Sequence, residues 1–438
     1  MKALNRFRQV AVTLVAVTCL AFTASAQSLW LFGKKFSPEY KESWTQNSVI
    51  PVNYNGEGIL TAVDSDGKPL ERHGFVKYRP FAGPFTPGCA FVFEVPAPDA
   101  AAGEFVDFDA TFTIEDGAPM NWVLEIMDGG IWREGKRFRC HGPALGSDHK
   151  YTSAYHTFRL DNAPEDGKIV IRLRALDGET RPVTEGNEAS ANAMFVLSPY
   201  IGAMVSDFGT KLPKDTTRVL CLGNSFTYYC GCPVMLKEIA WKEGHYVDVS
   251  ASLKGGRTMA QHLELEMTDD LVAEGGYDYV ILQDQSQAPA KVGKDRRGEA
   301  QLVRDMADMA AKVRATSPGC KAVVECTWAY TGKENGGFKS FEEFYRCGIK
   351  GARIMAKAVG DAEVSPISKA FEIVRKERPD LNLYHTDNHH QCVLGSYLKS
   401  CVNYLMIFGE PFGEDAADCM QDKEVAKYLR GVAERVVL

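Results

Sequence analysis

The 438-residue sequence lacks an internal repeat, a low-complexity tract, a run of lysines and arginines, and any pattern that would indicate a basic stripe. Acidic residues outnumber basic ones by 57 to 50, and the formal net charge is −7. Proteins that bind nucleic acid or anionic membranes through charge carry a basic patch, so we predict neither as a partner. Beyond the N-terminus, no stretch is long and apolar enough to span a bilayer.

The first 26 residues have the features of a secretory signal peptide. Basic residues precede an apolar run at 10–22, and Ala24-Ser25-Ala26 fits a small-residue cleavage site. We predict that residues 1–26 are removed and that the mature protein is periplasmic or extracellular. A lipoprotein signal at Cys19 ranks second, because Thr18 stands where such signals favour a smaller residue.

The sequence has 12 cysteines, and removal of Cys19 with the signal would leave an odd number, eleven, in a compartment that permits disulfides. Cys89 and Cys140 are the two in the first half of the mature chain and are the expected pair. Cys230-Gly231-Cys232 resembles half of a metal or redox motif, but no second cluster of matching spacing follows. We interpret these two as loop cysteines, and we predict no metal site and no cofactor.

From 27 to 205, short apolar or alternating runs are separated by clusters of glycine, proline, aspartate and asparagine. Such a pattern is typical of an antiparallel β-sandwich. This predicted domain is either a carbohydrate-binding module or a structural partner, and the fold alone does not decide between them. Trp44, Trp122 and Trp132 are candidates for stacking on sugar rings, with core packing the better interpretation for at least two. The predicted strands are 58–63, 88–95, 105–114, 121–127, 156–160, 168–176 and 193–197.

After a predicted linker at 204–215, the pattern changes to alternating strands and helices. This alternation predicts a second domain at 216–438, with a parallel sheet covered by helices on both faces. The predicted strands are 218–222, 246–252, 277–282, 321–327 and a short one at 381–384, and the predicted helices are 234–243, 258–274, 298–316, 341–358, 369–378, 391–408 and 423–435.

The apolar run that starts the second domain ends abruptly at Gly223-Asn224-Ser225. This pattern predicts a buried strand that delivers the Ser225 hydroxyl at its carboxyl end, where open α/β sheets bind ligands. A serine before a helix is often only an N-cap. As a nucleophile, Ser225 would need a base, a residue that orients the base, and oxyanion donors.

A candidate base lies in a loop before a later predicted helix, where Asp387 and His390 are three residues apart. On such a turn the carboxylate can accept a hydrogen bond from imidazole Nδ1, while Nε2 faces outward to take the proton from serine. Asp387 is therefore the candidate orienting acid and His390 the candidate base, with His389 and His385 as competitors for the base.

In these motifs, the chain from about 216 to 412 resembles the SGNH hydrolases, the superfamily that includes the GDSL-type esterases. The family's first block, Gly-Asp-Ser, resembles Gly223-Asn224-Ser225, with Asn224 where aspartate is usual. Its last block, Asp-x-x-His, resembles Asp387-Asn388-His389-His390 and favours His390 over His389. The resemblance implies a flavodoxin-like three-layer α/β/α fold, with Ser225 as nucleophile, His390 as base and Asp387 as the acid that orients it.

The resemblance also implies an oxyanion hole. The backbone N–H groups of Ser225 and of Gly256, the better match to the second-block glycine, would donate to the oxyanion. The third block, Gly-x-Asn-Asp, is replaced here by Gln283-Asp284-Gln285-Ser286. This alignment places Gln285 at the amide donor, with Gln283 as the alternative. A glutamine-rich third block is similar to the carbohydrate-esterase branches of the superfamily.

We predict an exported serine esterase whose partner is an acetylated glycan or another small ester. An exported acidic enzyme with an appended β-sandwich suits the deacetylation of glycans, so a carbohydrate O-acetylesterase is the preferred interpretation. One alternative is a lipase- or thioesterase-type acyl hydrolase. The other is a catalytically inactive glycan-binding surface protein, which the atypical third block makes conceivable. Candidates for lining the substrate pocket, each explained equally well by packing or surface exposure, are Arg257, His262, Trp328 and Tyr330.

Overall fold

A computed structural model describes residues 28–31, 59–69, 86–97, 100–114, 117–139, 152–180, 194–204, 215–253, 255–332, 336–385, 387–419 and 421–438. The predicted signal peptide, Trp44, Cys140 and residues 205–214 of the predicted linker lie outside these ranges. None of the helices in the described ranges is long and apolar enough to cross a bilayer.

The first nine strands form two antiparallel sheets. They are β1 (Ser28–Leu31), β2 (Ile59–Val63), β3 (Ala90–Pro96), β4 (Phe105–Ile114), β5 (Asn121–Asp128), β6 (Ile131–Arg139), β7 (Thr152–Arg159), β8 (Lys168–Ala175) and β9 (Met194–Met204). One sheet has the order β1-β9-β4-β7 and the other the order β2-β3-β8-β5-β6. Side chains from both sheets fill one buried cluster, in which the ring centroids of Phe93 and Phe108 are 5.0 Å apart.

The tryptophans of this region contact protein groups. Trp122 is completely buried in the cluster, and its indole N–H donates to the carbonyl of Pro119 at 2.8 Å. Trp132 is half-buried, with the guanidinium of Arg172 over its ring at 4.0 Å from the centroid. Core packing is therefore the correct interpretation of Trp122, and one face of Trp132 is covered.

The remaining strands form a five-stranded parallel sheet. They are β10 (Thr217–Gly223), β11 (Val247–Leu253), β12 (Tyr279–Leu282), β13 (Lys321–Glu325) and β14 (Ala362–Ser365). Their spatial order is β11-β10-β12-β13-β14, and every neighbouring pair is parallel. Numbered from β10, this is the 2-1-3-4-5 order of flavodoxin-like sheets. The predicted α/β fold with a parallel sheet is confirmed.

Helices cover both faces of this sheet because successive strand residues point to opposite sides. On β10, Val219 and Cys221 join one buried cluster, whereas Leu220 and Leu222 join another. The helices are α1 (Ser225–Tyr228), α2 (Cys232–Lys242), α3 (Met259–Leu263), α4 (Glu266–Glu274), α5 (Ala288–Lys294), α6 (Ala300–Thr316), α7 (Phe341–Val359), α8 (Ile367–Glu377), α9 (Val393–Phe408) and α10 (Lys423–Val437).

Several predicted elements were wrong or missing. The predicted strand at 381–384 is not part of the sheet; Tyr384 makes only an isolated bridge to Gln391, and β14 is the fifth strand instead. The predicted helix 258–274 is two helices, because Leu265 between them has an extended backbone. Strands β1 and β6 and helices α1 and α5 were not predicted.

The expectation that no basic stripe exists is wrong for one helix face. Arg346, Lys350, Arg353 and Lys357 on α7 are all exposed. Because residues three and four apart share a helix face, these four cations form one row. The spacing hides this row in the sequence, where apolar and small residues separate the charges.

The predicted pairing of Cys89 with Cys140 falls partly outside the described residues. Cys89 itself is buried, and its sulfur accepts a hydrogen bond from the N–H of Thr86 at 3.4 Å. In the described part of the parallel-sheet unit, seven further cysteines are buried: Cys221, Cys230, Cys232, Cys320, Cys326, Cys401 and Cys419.

Candidate active site

The nucleophile segment lies at the carboxyl end of β10, which pairs with β11 on one side and β12 on the other. Asn224 caps helix α1, since its Oδ1 accepts from the N–H of Phe226 at 3.1 Å. Ser225 is therefore the first residue of the helix, and its N–H has no partner within the helix. Gly223 must be glycine because a Cβ there would lie 2.5 Å from Thr227 Oγ1 and 2.8 Å from Gln283 Oε1.

Asn224 also joins the nucleophile segment to the two neighbouring loops. Its side-chain NH₂ donates to the carbonyl of Arg257 at 3.1 Å and to that of Asp284 at 3.3 Å. Aspartate, the usual residue here in the family that the motifs resemble, could accept from Phe226 but could not donate to either carbonyl. The asparagine thus fixes three loops of the site against one another.

The loop that carries the candidate base is closed by backbone hydrogen bonds. The N–H of His385 donates to the carbonyl of His390 at 2.7 Å. Asn388 at its tip has a φ of 62°, a left-handed conformation that asparagine tolerates. Within this turn, Asp387 Oδ1 accepts from the N–H groups of His389 at 3.0 Å and His390 at 2.9 Å. The carboxylate is therefore oriented by its own loop.

The structure brings Ser225, His390 and Asp387 into one hydrogen-bonded line. Nδ1–H of His390 donates to Asp387 Oδ2 at 2.6 Å, and the Ser225 hydroxyl donates to His390 Nε2 at 2.7 Å. Ser225 and His390 are only 6% exposed, so bulk water has little access to the pair. The sequence order serine, aspartate, histidine and this geometry match the blocks quoted above. The chain resembles the SGNH hydrolases.

The protonation states fit an SGNH-type acid–base pair. Burial would raise the pKa of Asp387, but the hydrogen bonds from His390 and from the His389 N–H hold it well below its ordinary value. Burial also lowers the pKa of His390 below its usual value, and the adjacent carboxylate of Asp387 opposes this only in part. At neutral pH the imidazole is therefore neutral and able to accept a proton.

Two aromatic side chains hold the imidazole in place, and neither was predicted. Tyr229 stacks on His390 with ring centroids 4.7 Å apart, and Phe226 lies at 5.0 Å on a tilted plane. Both belong to or directly follow α1, so the nucleophile segment itself restrains the base. The sequence did hold a signal for them, because aromatic residues stand one and four positions after Ser225.

Of the two glutamines considered for the SGNH third block, Gln283 is fully buried and its polar atoms are engaged. Its Oε1 accepts from the N–H of Asn224 at 2.9 Å and from Thr227 Oγ1 at 3.0 Å, and its Nε2 donates to the carbonyl of Asp284. Gln285 is half-buried; its Oε1 accepts from the N–H of Gln287 at 2.9 Å, which points its NH₂ group the other way. That NH₂ group donates to Ser286 Oγ at 3.4 Å, a long hydrogen bond.

Gly256, the candidate second-block residue, has a φ of 69° and is exposed. A Cβ there would meet nothing within 4 Å, so the positive φ rather than crowding favours glycine. Its loop lies next to the nucleophile segment through the bond from Asn224 to Arg257.

The candidate pocket residues separate into buried and accessible ones. Trp328 is completely buried between Phe226 and Phe371, with centroids at 4.9 and 4.2 Å, so its prediction as a substrate contact is wrong. His262 is also completely buried, and its Nε2–H donates to the Gly223 carbonyl at 2.9 Å. It therefore supports the nucleophile strand rather than lining a pocket.

Tyr330 and Arg257 remain beside the site. Tyr330 is only 8% exposed, its hydroxyl is 2.5 Å from Ser286 Oγ, and its ring centroid is 5.3 Å from that of His389. Arg257 is half-buried directly after Gly256. These two positions border the loops that would surround a bound ester.

Asp387, His389 and His390 also form a group whose ligand atoms lie within 4.8 Å of one another. However, the 2.6 Å between Asp387 Oδ2 and His390 Nδ1 is a hydrogen-bond distance. Two ligands of one tetrahedral zinc ion lie about 3.3 Å apart, given metal–ligand bonds of about 2.0 Å. The observed spacing therefore fits a shared proton better than a shared metal ion.

Comparisons with known proteins give matches among solved structures, whereas no family model and no curated protein matches the chain significantly. A DUF4886 family protein from Bacteroides uniformis is 17% identical, over 51% of this chain and 95% of that one, with a TM-score of 0.45. A protein from Slackia heliotrinireducens, proposed to be an SGNH hydrolase, is 26% identical over 44% and 100%, with a TM-score of 0.36. Axe2, an acetylxylan esterase from Geobacillus stearothermophilus, is 14% identical over 45% and 97%, with a TM-score of 0.34. At these values the function must be argued from the site itself.

Proposed function

We propose that this protein is an exported serine esterase of the SGNH type, and specifically a carbohydrate O-acetylesterase. The observation that supports it is the line from Ser225 Oγ through His390 to Asp387, with bonds of 2.7 and 2.6 Å. A free serine hydroxyl is a weak nucleophile, and this arrangement removes its proton as it attacks.

In the proposed reaction, Ser225 Oγ attacks the ester carbonyl carbon while its proton passes to His390 Nε2. The tetrahedral intermediate collapses, the C–O bond to the alcohol breaks, and His390 returns the proton to the departing alcohol. Water then attacks the acyl-enzyme with His390 again acting as base, which releases the carboxylic acid and restores Ser225. Asp387 stabilises the imidazolium in both steps and holds its tautomer.

The proposed oxyanion hole consists of the backbone N–H groups of Ser225 and Gly256 and the side-chain NH₂ of Gln285. The engaged atoms of Gln283 favour Gln285 as the amide donor. Loss of one oxyanion donor typically lowers kcat by about 10² to 10³-fold. We expect that loss in Gln285→Ala with little change in stability, whereas Gln283→Ala should destabilise the fold, because Asn224 and Thr227 lose their acceptor.

The test of the mechanism is hydrolysis of an aryl acetate by the purified protein and by Ser225→Ala. We expect kcat to fall by at least ~10³-fold and labelling of Ser225 by a serine-reactive phosphonate to disappear. Ser340→Ala is the matched control, because the Ser340 hydroxyl caps α7 by accepting from the N–H of Glu343 at 3.2 Å. Equal rates for the original protein and Ser225→Ala would reject the mechanism.

The acetyl-glycan specificity is tested with an acyl series and with acetylated polysaccharides. A rate that falls sharply from acetate to octanoate, with acetate released from a glycan, supports the proposal. A rate that rises with acyl length would favour the lipase or thioesterase alternative. Glycan binding without labelling of Ser225 would favour the inactive binding protein.

Export and the role of the N-terminal region are part of the same proposal. We propose that residues 1–26 are a cleaved signal peptide and that 27–205 form a sandwich domain separate from the catalytic unit. Mass spectrometry of the protein from cell fractions should find a mature N-terminus at Gln27 outside the cytoplasm. A full-length N-terminus in the cytoplasm would contradict it.

A further inference from the structure

A buried ion pair lies directly behind the nucleophile segment. Lys399 of α9 and Glu325 at the end of β13 have side chains 1% and 0% exposed, and Lys399 Nζ donates to Glu325 Oε2 at 2.6 Å. Glu325 Oε1 accepts from the amide of Asn403 at 2.9 Å, and Asn403 Oδ1 accepts from Ser365 Oγ at 3.0 Å. A buried pair is weak evidence of added stability, because desolvation offsets the attraction. Its position points to another role.

The other two donors of Lys399 go to the nucleophile segment. Nζ donates to the carbonyl of Phe226 at 2.7 Å and to Thr227 Oγ1 at 3.3 Å. Helix α1 is one turn long: the Ser225 carbonyl accepts from the N–H of Tyr229, but Cys230, which would follow as the partner of the Phe226 carbonyl in a longer helix, has a non-helical φ of 53°. Lys399, at the shorter distance, and the amide of Gln391 at 3.1 Å supply the donors that a longer helix would have provided.

Helix α9 supplies more donors to the same segment. Ser396 Oγ donates to the carbonyl of Tyr229 at 2.8 Å. Ser400 Oγ lies 3.0 Å from the carbonyl of Cys232, at the start of α2, and 2.8 Å from that of Ser396. With Lys399, these residues lie on one helix face at spacings of three and four. The same helix begins at Val393, three residues after His390. One element therefore follows the base loop directly and also holds the nucleophile segment.

We propose that Lys399, held in place by Glu325, is a positioning residue for Ser225. By fixing the Phe226 carbonyl it sets the turn that directs Ser225 Oγ at His390 Nε2. The inference rests on the proposed esterase mechanism, in which the distance between Ser225 Oγ and His390 Nε2 determines the rate. A misplacement of about 1 Å lowers a rate by about 10²-fold.

The test compares kcat, KM and thermal stability for Lys399→Met and for Lys399→Met/Glu325→Gln. The single variant leaves a buried carboxylate without its cation and should be strongly destabilised. The double variant removes both charges, and its glutamine still accepts from Asn403. We expect the double variant to recover most of the lost stability, whereas its kcat stays about 10²-fold low with KM little changed, because the Phe226 carbonyl has lost its charged donor at 2.7 Å and keeps the Gln391 amide at 3.1 Å.

A matched control is available at Arg430, another buried cation that binds backbone carbonyls. It donates to Tyr397 Oη and Asp418 at 2.7 Å and to the carbonyls of Ala416 and Ala417 at 3.4 Å. Arg430→Met/Asp418→Asn should lose stability and keep kcat. The rate of phosphonate labelling of Ser225 measures the same positioning without turnover, and it should fall only in the Lys399 variants.

The outcomes separate this inference from the proposed function. If the double variant regains kcat together with stability, or if the Arg430 control loses kcat equally, the positioning role is overturned while the esterase stands. If the original protein neither hydrolyses the ester nor labels at Ser225, the proposed function fails and this inference fails with it.

Discussion

The carboxyl group of Asp284 is buried between the loops that follow β11 and β12. Its Oδ1 accepts from the N–H groups of Met259 at 3.0 Å and Gln285 at 2.6 Å. Among the described residues, Oδ2 is buried without a hydrogen-bond partner. Burial is the largest cause of a pKa raised to about 7. The residue beside the proposed oxyanion donor thus changes charge near neutral pH.

This raised pKa predicts a pH dependence of stability. The folded state holds the proton more tightly than the unfolded chain, whose pKa is 3.8, so stability is lost as the pH rises from about 4 to 7. The rise in pKa corresponds to at most about 4 kcal/mol. Asp284→Asn keeps Oδ1 but cannot ionise, so its free energy of unfolding in urea should lack this slope. Parallel pH profiles for the two proteins would contradict the expectation.

The lowered pKa of His390 makes a second prediction. The base must be neutral to take the proton from Ser225, so kcat/KM should be constant at neutral pH and fall on acidification with an apparent pKa below 6.5. The measurement is the pH profile of aryl acetate hydrolysis, and an acidic limb centred at or above 6.5 would count against the assignment. A profile of Asp284→Asn recorded in parallel separates the titration of the two groups.

At the residue scale, the sequence predicted the three residues that the structure brings together, because each stands in a short local motif. It could not predict Gln391, whose buried amide donates to the carbonyls of Phe226 and Tyr229 at 3.1 and 3.2 Å, or Lys399. Both contact Phe226, which is more than 160 positions away in the sequence. Trp328 was wrongly predicted to contact the substrate, because its position just after a strand does not reveal that its side chain is buried.

Among the elements, α5 and α7 approach each other more closely than side chains would allow. A Cβ at Gly351 of α7 would overlap the carbonyl of Pro289, and one at Gly293 of α5 would overlap that of Cys347. Helix α5 begins at Ala288, directly after the third-block loop. The two glycines therefore allow α5, and the third-block loop that leads into it, to pack closely against α7.

Gly351→Ala should therefore be destabilising by about 1–3 kcal/mol or more, because the backbones must separate. Gly431→Ala in α10 is the matched control, since a Cβ there would meet nothing within 4 Å. That substitution should stabilise the protein by up to about 1 kcal/mol through helix propensity. Denaturant unfolding of both variants measures the difference, and shifts of the same sign would refute the packing argument.

The sequence predicted the long amphipathic helices and four strands of the parallel sheet, because their periodicity is strong. Strand β14 was missed because it is a four-residue edge strand with alternating polar positions. Strand β6 was missed because its charged residues obscure the alternation, although Gly129-Gly130, with φ of 59° and 77°, forms the tight turn before it. Both lie at sheet edges, where burial leaves the weakest pattern.

Over the whole molecule, the antiparallel sheets contact the parallel-sheet unit beside its edge strand β11. Phe105 packs with Trp241 and Tyr246 in a small buried cluster. The Tyr246 hydroxyl donates to Thr157 Oγ1 at 3.0 Å, and Arg139 is 3.1 Å from Glu266 at an exposed position. The apolar cluster rather than the exposed ion pair should carry the energy of this contact.

A segment of residues 216–438 should fold and hydrolyse an aryl acetate, because both buried clusters of the parallel sheet lie within it. Its thermal midpoint should be lower than that of the whole chain, since Trp241 and Tyr246 lose Phe105. Calorimetry of the segment, with Phe105→Ala in the whole chain as comparison, measures the contribution of the contact. An unfolded segment would show that the two parts fold as one unit.

The buried thiols allow local unfolding of the parallel-sheet unit to be measured by alkylation. Burial raises the pKa of Cys320 to about 11 and that of Cys326 to about 12, and it also raises the pKa of Cys401 and Cys419. An alkylating reagent reacts with the exposed thiolate, so each site reacts only while its surroundings are open. The alkylation rates at these positions would therefore map, region by region, the order in which the unit comes apart.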